Sequence, residues 1–266
     1  MFRSYAPIYE AIGEDWLSLR LLHQVRRWLA CAGIRPQSAA DLACGTGAVA
    51  VALALDGLRV TGVDRSPEML ALARQRATAA GASVAWLQQD LRDLELPYPV
   101  DLMTAFYDSL NYLLSASDLH RVIERASRAL APGGILAFDL NTPLEYNTWI
   151  GGRNIVAYDG PELFVVSRRT FDPQTRLATG RIIWMLREGD HWRRGEEIQQ
   201  QRAHEEADVI AALSAARLTL RSRLTLLGEP ADAQATRILY LSQKPWPLSS
   251  PTGATITQSP PDDLAR

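Results

Sequence analysis

Residues 41–50 read DLACGTGAVA: an apolar run closes on an acid, two glycines bracket a threonine, and a second apolar run begins. Gly45, Gly47 and Ala50 satisfy the pattern G-x-G-x-x-G/A, in which glycine lets the backbone approach a ligand where a helix starts. A nicotinamide dinucleotide would use such a turn. So would any other ligand that wants close backbone and the unpaired amides of a helix N-terminus. The residues around the turn must separate these readings.

Outward from the turn, SAADLAC, RVTGVD, SVAWLQQD, VDLMTAFY and GILAFDLN are five strand-like runs, separated by helix-like stretches such as SPEMLALARQRATAAG and ASDLHRVIERASRALAPGG. This alternation predicts right-handed βαβ units and a doubly wound parallel sheet. Ser66, Pro67 and Glu68 start one helix, and Pro132, Gly133 and Gly134 stop another. Ahead of the first strand, Trp16, Leu19, Leu22, Val25, Trp28 and Leu29 recur at helical spacing up to Gly33.

After Asn141 the pattern changes to alternating or β-branched runs joined at DGPE, DPQT and REGDHW, which predicts an antiparallel meander inserted over residues 151–204. It is too small to enclose a core of its own. A helix, EEADVIAALSAAR, and a closing hairpin, LTLRSRLTLLG with ATRILYLSQKP, follow. The expected organisation is one domain over residues 1–266, with an N-terminal helical lid over 1–36 and a Pro/Ser/Thr-rich, disordered tail over 246–266.

A chain of 266 residues with 47% hydrophobic and 22% charged content is an ordinary globular α/β protein. Its formal net charge of −2 gives no general attraction to nucleic acid or anionic lipid, so neither is expected as a partner. Cys31 and Cys44 fit neither a disulfide framework nor a zinc spacing, which makes a reducing cytoplasm the simpler location. Pro7, Glu10, Glu14 and Asp15 interrupt the start of the chain, so it does not read as a signal peptide, and no apolar run is long enough to span a bilayer.

Doubly wound sheets bind ligands at the carboxyl ends of their strands. Here the first strand ends in the glycine turn, the second at Asp64, placed to accept two ribose hydroxyls, and the third at Asp90, placed to accept from an adenine amino group. Asp41 discriminates between the cofactors. Four residues before Gly45, its carboxylate would repel a pyrophosphate but suit the ammonium of an amino acid. S-adenosylmethionine combines adenosine with such an ammonium.

The segments DLACGTGAVAVALALDGLRVTGVDRSPEMLALAR, WLQQDLRDLELP, VDLMTAFYDSLNYL and LAPGGILAFDLNTP, across residues 39–143, resemble the successive motifs of class I S-adenosylmethionine-dependent methyltransferases. The resemblance implies a Rossmann-like seven-stranded sheet whose last strand is antiparallel. It places Asp41, Gly45 and Gly47 on the methionine part, Asp64 on the ribose, and Asp90 with the Leu91 amide on adenine. Ala43, Cys44, Arg65, Met69 and Phe106 complete the expected cofactor set, Cys44 standing where many members have glycine.

In this fold the transferred methyl points toward the segment after the fourth strand, here FYDSLNYL. Tyr107, Asp108 and Asn111 are the expected catalytic set, positioning the acceptor or taking its proton. Tyr5, Tyr9, Tyr112 and Asn141 are the expected acceptor contacts, the first two resembling the aromatic lid of small-molecule methyltransferases. Asp108, Asp139 and Asn141 offer oxygens of the kind magnesium takes, but three strand-end oxygens are a weak signal and no metal is assigned. The four histidines are read as surface residues, and Arg168, Arg169, Arg193 and Arg194 as part of a solvated, charge-balanced sheet face. The expectation is a cytoplasmic transferase that methylates N or O of a small molecule. A non-catalytic S-adenosylmethionine-binding protein and a nicotinamide-dependent oxidoreductase are the alternatives. The inserted sheet is a candidate homodimer surface.

Overall fold

The apolar runs flanking the glycine turn become β1 (Ser38–Leu42), buried along its whole length, and α3 (Ala48–Leu55). The computed structural model describes residues 5–13 and 15–247, so most of the tail expected to be disordered, residues 248–266, lies outside the described residues. Ahead of β1 stand α1 (Ala6–Ala11) and α2 (Asp15–Cys31). After α3 come β2 (Arg59–Asp64), α4 (Pro67–Ala80), β3 (Val84–Gln88), β4 (Val100–Ala105), α5 (Ala116–Ala129) and β5 (Leu130–Asn141). The chain continues through α6 (Pro143–Asn147), β6 (Arg153–Asp159), β7 (Leu163–Asp172), β8 (Leu177–Glu188) and β9 (His191–Arg202), and closes with α7 (Glu206–Ala215), β10 (Thr219–Leu224) and β11 (Arg237–Gln243).

Seven strands form one sheet in the order β10-β11-β5-β4-β1-β2-β3. The first five strands in the chain pair in parallel, whereas β11 runs antiparallel to both β5 and β10. The expected Rossmann-like sheet with its antiparallel last strand is therefore present. Both faces are covered. Leu21, Leu22 and Val25 of α2 pack with Val49 and Leu53 of α3 on one, and Leu119 and Ile123 of α5 with Val209 and Leu213 of α7 on the other. The strand order reverses between β1 and β4, so the loops leaving these strands diverge to opposite faces and open a crevice at their carboxyl ends.

Strands β6 to β9 form a separate antiparallel sheet in sequential order, with turns where DGPE, DPQT and REGDHW predict them. Its inner face packs on α1: Tyr5 and Ile8 are buried against Leu163, Val165 and Trp184. Tyr146 and Trp149, in and after α6, pack beneath it with Phe171 and Ala178. This sheet roofs the crevice. Among the described residues, no helix is long and apolar enough to cross a membrane.

Gly47 caps α3 with φ +80°, and a Cβ there would lie 2.8 Å from the Trp86 ring and 2.9 Å from the Ala73 Cβ. Replacing Gly47 with Ala must therefore separate α3 from α4 and β3. The expected outcome is destabilisation by about 1–3 kcal/mol, the usual range for overpacking, read as a lower urea midpoint. An unchanged midpoint would mean that these elements have room to spare.

Candidate active site

A cavity of about 950 Å³ occupies the crevice between the carboxyl ends of the large sheet and the inner face of the inserted one. That is at the upper end of ordinary ligand pockets. It has two halves, distinguished by their charges.

The first half surrounds the glycine turn. Asp41 is buried at the end of β1, where Oδ1 accepts from Thr104 Oγ1 at 2.7 Å and Oδ2 from the Ala50 amide at 3.1 Å. Burial pushes its carboxyl up to about 7, and Asp64 adds to the rise against those two hydrogen bonds. Asp64, ending β2, accepts from the amides of Gly45 at 2.9 Å and Ser66 at 2.8 Å, and burial raises its pKa too. Asp90 differs: the Arg92 side chain holds its carboxyl down, at about 2, through a bidentate ion pair. Burial, with Asp41 and Asp64 adding to it, keeps the Cys44 thiol protonated. These residues, with Ala43, Gly45, Arg65, Met69, Leu91 and Phe106, line the cavity as one group. Gly47 does not. Its lack of a side chain admits the Trp86 ring and Ala73.

The second half lies under the inserted sheet. Tyr107 and Asp108 both adopt left-handed backbone, φ +62° and +47°, a conformation that costs a non-glycine residue roughly 1 kcal/mol or more. The Asp108 amide donates to Asp139 Oδ2 at 3.1 Å, which holds the turn. The guanidinium of Arg237, at the start of β11, lies between the two carboxylates, donating to Asp108 Oδ1 at 2.7 Å and to Asp139 Oδ2. Burial alone would favour loss of its proton, but Asp108 and Asp139 more than reverse this and keep Arg237 charged. Gln201 of β9 donates to the remaining oxygen of Asp108. Both oxygens of Asp108 are thus engaged. A cation already sits between the two acids considered for magnesium, and no cluster of three metal-ligating side chains occurs among the described residues.

Asn111 also departs from expectation. It is fully buried and does not line the cavity; its amide brackets the Asn141 backbone and donates to the Arg202 carbonyl at 2.8 Å. It therefore fixes Asn141, which does face the cavity. Tyr112 lines the wall and donates to Gln199 at 2.7 Å. Tyr5 and Tyr9 meet edge to face at 6.3 Å, and Tyr9 meets Tyr107 at 6.1 Å, so the aromatic residues of the N-terminus and of FYDSLNYL form one border. His204 is not a surface residue. Packed beside Leu110 and Leu113, it is pushed down to about 4 by burial.

Arg237, Gln199 and Gln201 escape sequence reasoning. The only local signal for Arg237 is a charge opening an apolar strand, ATRILYL, and nothing there points to Asp108, 129 residues earlier.

The doubly wound sheet, the glycine turn and the strand-end acids define a class I methyltransferase fold. Residues 39–134 match the sequence family described as "Methyltransferase domain". A relative from Geobacillus sp. (strain WCH70) is 42% identical over 102 residues, 38% of this chain and 41% of its own. The dTDP-4-amino-2,3,4,6-tetradeoxy-D-glucose N,N-dimethyltransferase of Saccharopolyspora spinosa is 32% identical over 141 residues, 51% of this chain and 53% of its own. The matches thus span about half the length of these relatives. The same fold, at 24% identity and a TM-score of 0.81, occurs in an S-adenosylmethionine-dependent methyltransferase from Clostridium acetobutylicum, over 92% of this chain and 99% of that one.

Replacing Arg237 with Met leaves Asp108 and Asp139 facing each other without a cation. Breaking a buried ion pair costs about 3–5 kcal/mol, and a loss of that order is expected in chemical denaturation at neutral pH. Lowering the pH should reduce the deficit relative to wild type, because protonation removes the repulsion. A deficit independent of pH would place the cost in lost packing instead.

Proposed function

We propose that the protein is an S-adenosylmethionine-dependent methyltransferase acting on a small molecule, with an amine the favoured acceptor. One observation carries the reading: Asp41, Asp64 and Asp90, from three strand ends, line one cavity with the Gly45 turn, and that cavity continues into a second chamber under the inserted sheet. In this reading Asp41 takes the methionine ammonium, Asp64 the ribose hydroxyls, and Asp90 with the Leu91 amide the adenine edge. The acidic lining disfavours a dinucleotide pyrophosphate for the reason given by its charge.

The bound cofactor would supply an electrophilic methyl on a sulfonium. It would pass that methyl to the acceptor's lone pair and remain as the neutral thioether, and the proton of a methylated amine would go to solvent. The chain's own work is alignment and exclusion of water. Tyr107 and the Arg237-held Asp108 border the acceptor, while Tyr5, Tyr9 and the inserted sheet close over it. Since both oxygens of Asp108 are engaged, an acceptor that enters already deprotonated suits the site better than a hydroxyl. The relative named for an amino-sugar N,N-dimethylation is consistent with this preference. We infer further that the protein works in the cytoplasm and that the domain divides into an N-terminal lid, the core and an inserted subdomain. The inserted sheet could also form a homodimer contact, and we propose it as the surface to test by measuring mass in solution.

Calorimetry with S-adenosylhomocysteine tests the assignment. Saturable binding is expected, Asp64→Ala should weaken it by the ~1.5–3 kcal/mol of a charge-assisted hydrogen bond, and NAD should not bind. Binding of NAD alone would overturn the reading. Binding without turnover across a panel of amine and hydroxyl acceptors would favour a non-catalytic binding protein.

Asp41 gives a second test. Its carboxyl is raised from 3.8 to about 7, so in the unliganded protein its contribution to stability is full below the unfolded value and is lost as pH rises through 7. A ligand ammonium favours the ionised form. S-adenosylhomocysteine binding near neutral pH should therefore release a proton and tighten as pH rises from below to above 7, seen as buffer-dependent heats in calorimetry. Asp41→Asn should abolish the release; a release that survives belongs to another group.

A further inference from the structure

The alternation of the inserted sheet places one residue from each strand in rows across its inner face. In the middle row Arg169 of β7 lies opposite Gly180 of β8, which lies opposite Gln199 of β9. All three line the cavity. The sequence groups Arg169 with Arg168 on a solvated face, but the strand turns them to opposite sides: Arg168 faces outward beside Phe164, Val166 and Arg181, and Arg169 faces the chamber.

The guanidinium of Arg169 is held and left uncompensated. Its Nε donates to the buried Ser167 Oγ at 3.1 Å and its carbon lies 4.9 Å from the Trp149 ring centre. Arg153 of β6, the next residue of the row, donates to Thr148 Oγ1. Among the described residues, neither arginine has a carboxylate within 4.0 Å. Beside Arg169, Gly180 leaves a gap, for a Cβ built there meets nothing within 4 Å. Of the carboxylates in this half, Asp108 and Asp139 are paired with Arg237, whereas Glu145 accepts from the Trp149 indole N–H and Glu197 from the Gln199 amide.

We propose that Arg169, Gly180 and Gln199 form a subsite for an oxyanion, a carboxylate or phosphate, carried by the methyl acceptor. The proposal rests on reading the cavity as a methyl-transfer site. Arg169 supplies a stacked guanidinium that matches the planar edge of an oxyanion bidentately, Gly180 supplies the room, and the Gln199 amide borders the far side. The acceptor is then a small molecule whose reacting nitrogen and anionic group are separated by the distance from Tyr107 to the middle row.

The test uses two probes, inorganic pyrophosphate and succinate, titrated calorimetrically into the full chain with and without S-adenosylhomocysteine. At least one should bind the wild-type protein, and which one does identifies the oxyanion. Arg169→Ala should weaken that binding by about ten- to a hundredfold, the equivalent of a lost charge-assisted hydrogen bond. Arg169→Lys should retain part of it. Gly180→Val should also remove it while leaving the thermal midpoint in place, because a β-branched side chain suits a strand and has space there. Arg168→Ala, on the outer face, should have no effect. Failure of both anions to bind, equal binding by Arg169→Ala, or equal weakening by Arg168→Ala would each overturn the subsite. Loss of S-adenosylhomocysteine binding in the wild-type protein would instead sink the cofactor reading, and the anion titrations without it would still decide the subsite.

Discussion

Arg237 joins four pieces of chain in one buried cluster: the turn after β4 through Asp108, β5 through Asp139, its own strand β11, and the inserted sheet through Gln201 on Asp108. Such a cluster is a poor source of stability, because removing three charged groups from water costs about what their attraction returns. Its effect is geometric. The left-handed backbone at Tyr107 and Asp108 persists because the Asp108 amide is tied to Asp139 and its carboxylate to Arg237. Without that constraint, right-handed or extended backbone costs these two residues less. The antiparallel last strand therefore does more than finish the sheet; it carries the cation that holds the turn after β4.

The other half of the cavity follows the opposite electrostatic rule. Asp41 and Asp64 are buried like Asp139, yet backbone amides and a threonine hydroxyl hold them, and no guanidinium does. Hydrogen bonds of this kind orient a carboxylate without neutralising it, and burial leaves both groups with raised pKa values. Only Asp90, the outermost of the three, is fully paired, with Arg92. The innermost end of the cavity thus lacks positive charge. An incoming cationic group would relieve that deficit.

Much of this was legible in the sequence because it is local. Strand and helix alternation, the proline and glycine stops, and the acids at strand ends are properties of short windows, and a parallel sheet brings its strand ends to one edge whatever the loops do. What was not legible depends on which way a side chain turns or on contacts across the chain. Asn111 sits one residue from Tyr112 in the same short turn, yet one is fully buried on the Asn141 backbone and the other reaches Gln199. Gly47 reads as a ligand-facing glycine because the motif is known for that, whereas its neighbour is Trp86, 39 positions on. Period-two alternation separates Arg168 from Arg169 but does not say which face is wet. His204 lies in a loop, where exposure is the better guess, and is buried because the short turn after β4 packs over it.

The two sheets divide the work in a way that bears on how such a protein can change its acceptor. Asp41 and Asp64 end strands of the large sheet and Asp90 follows one, so their positions follow from the strand ends and the switch between β1 and β4. The acceptor half is graded along the inner face of the small sheet: Val165 and Trp184 pack on Tyr5 at one end, Arg169 and Gly180 form the polar middle, and Phe171 and Ala178 pack on Tyr146 at the other. The end rows are buried and fix where the sheet sits; in the middle row Gln199 is buried too, while Arg169 and Gly180 are only partly covered. A substitution at Arg169 or Gly180 therefore disturbs the seating of the sheet less than one in either end row. Arg237 is the exception to this separation, since Gln201 links its cluster to the small sheet. That contact, with those of Asn111 to Arg202 and Tyr112 to Gln199, ties the segment after β4 to the small sheet.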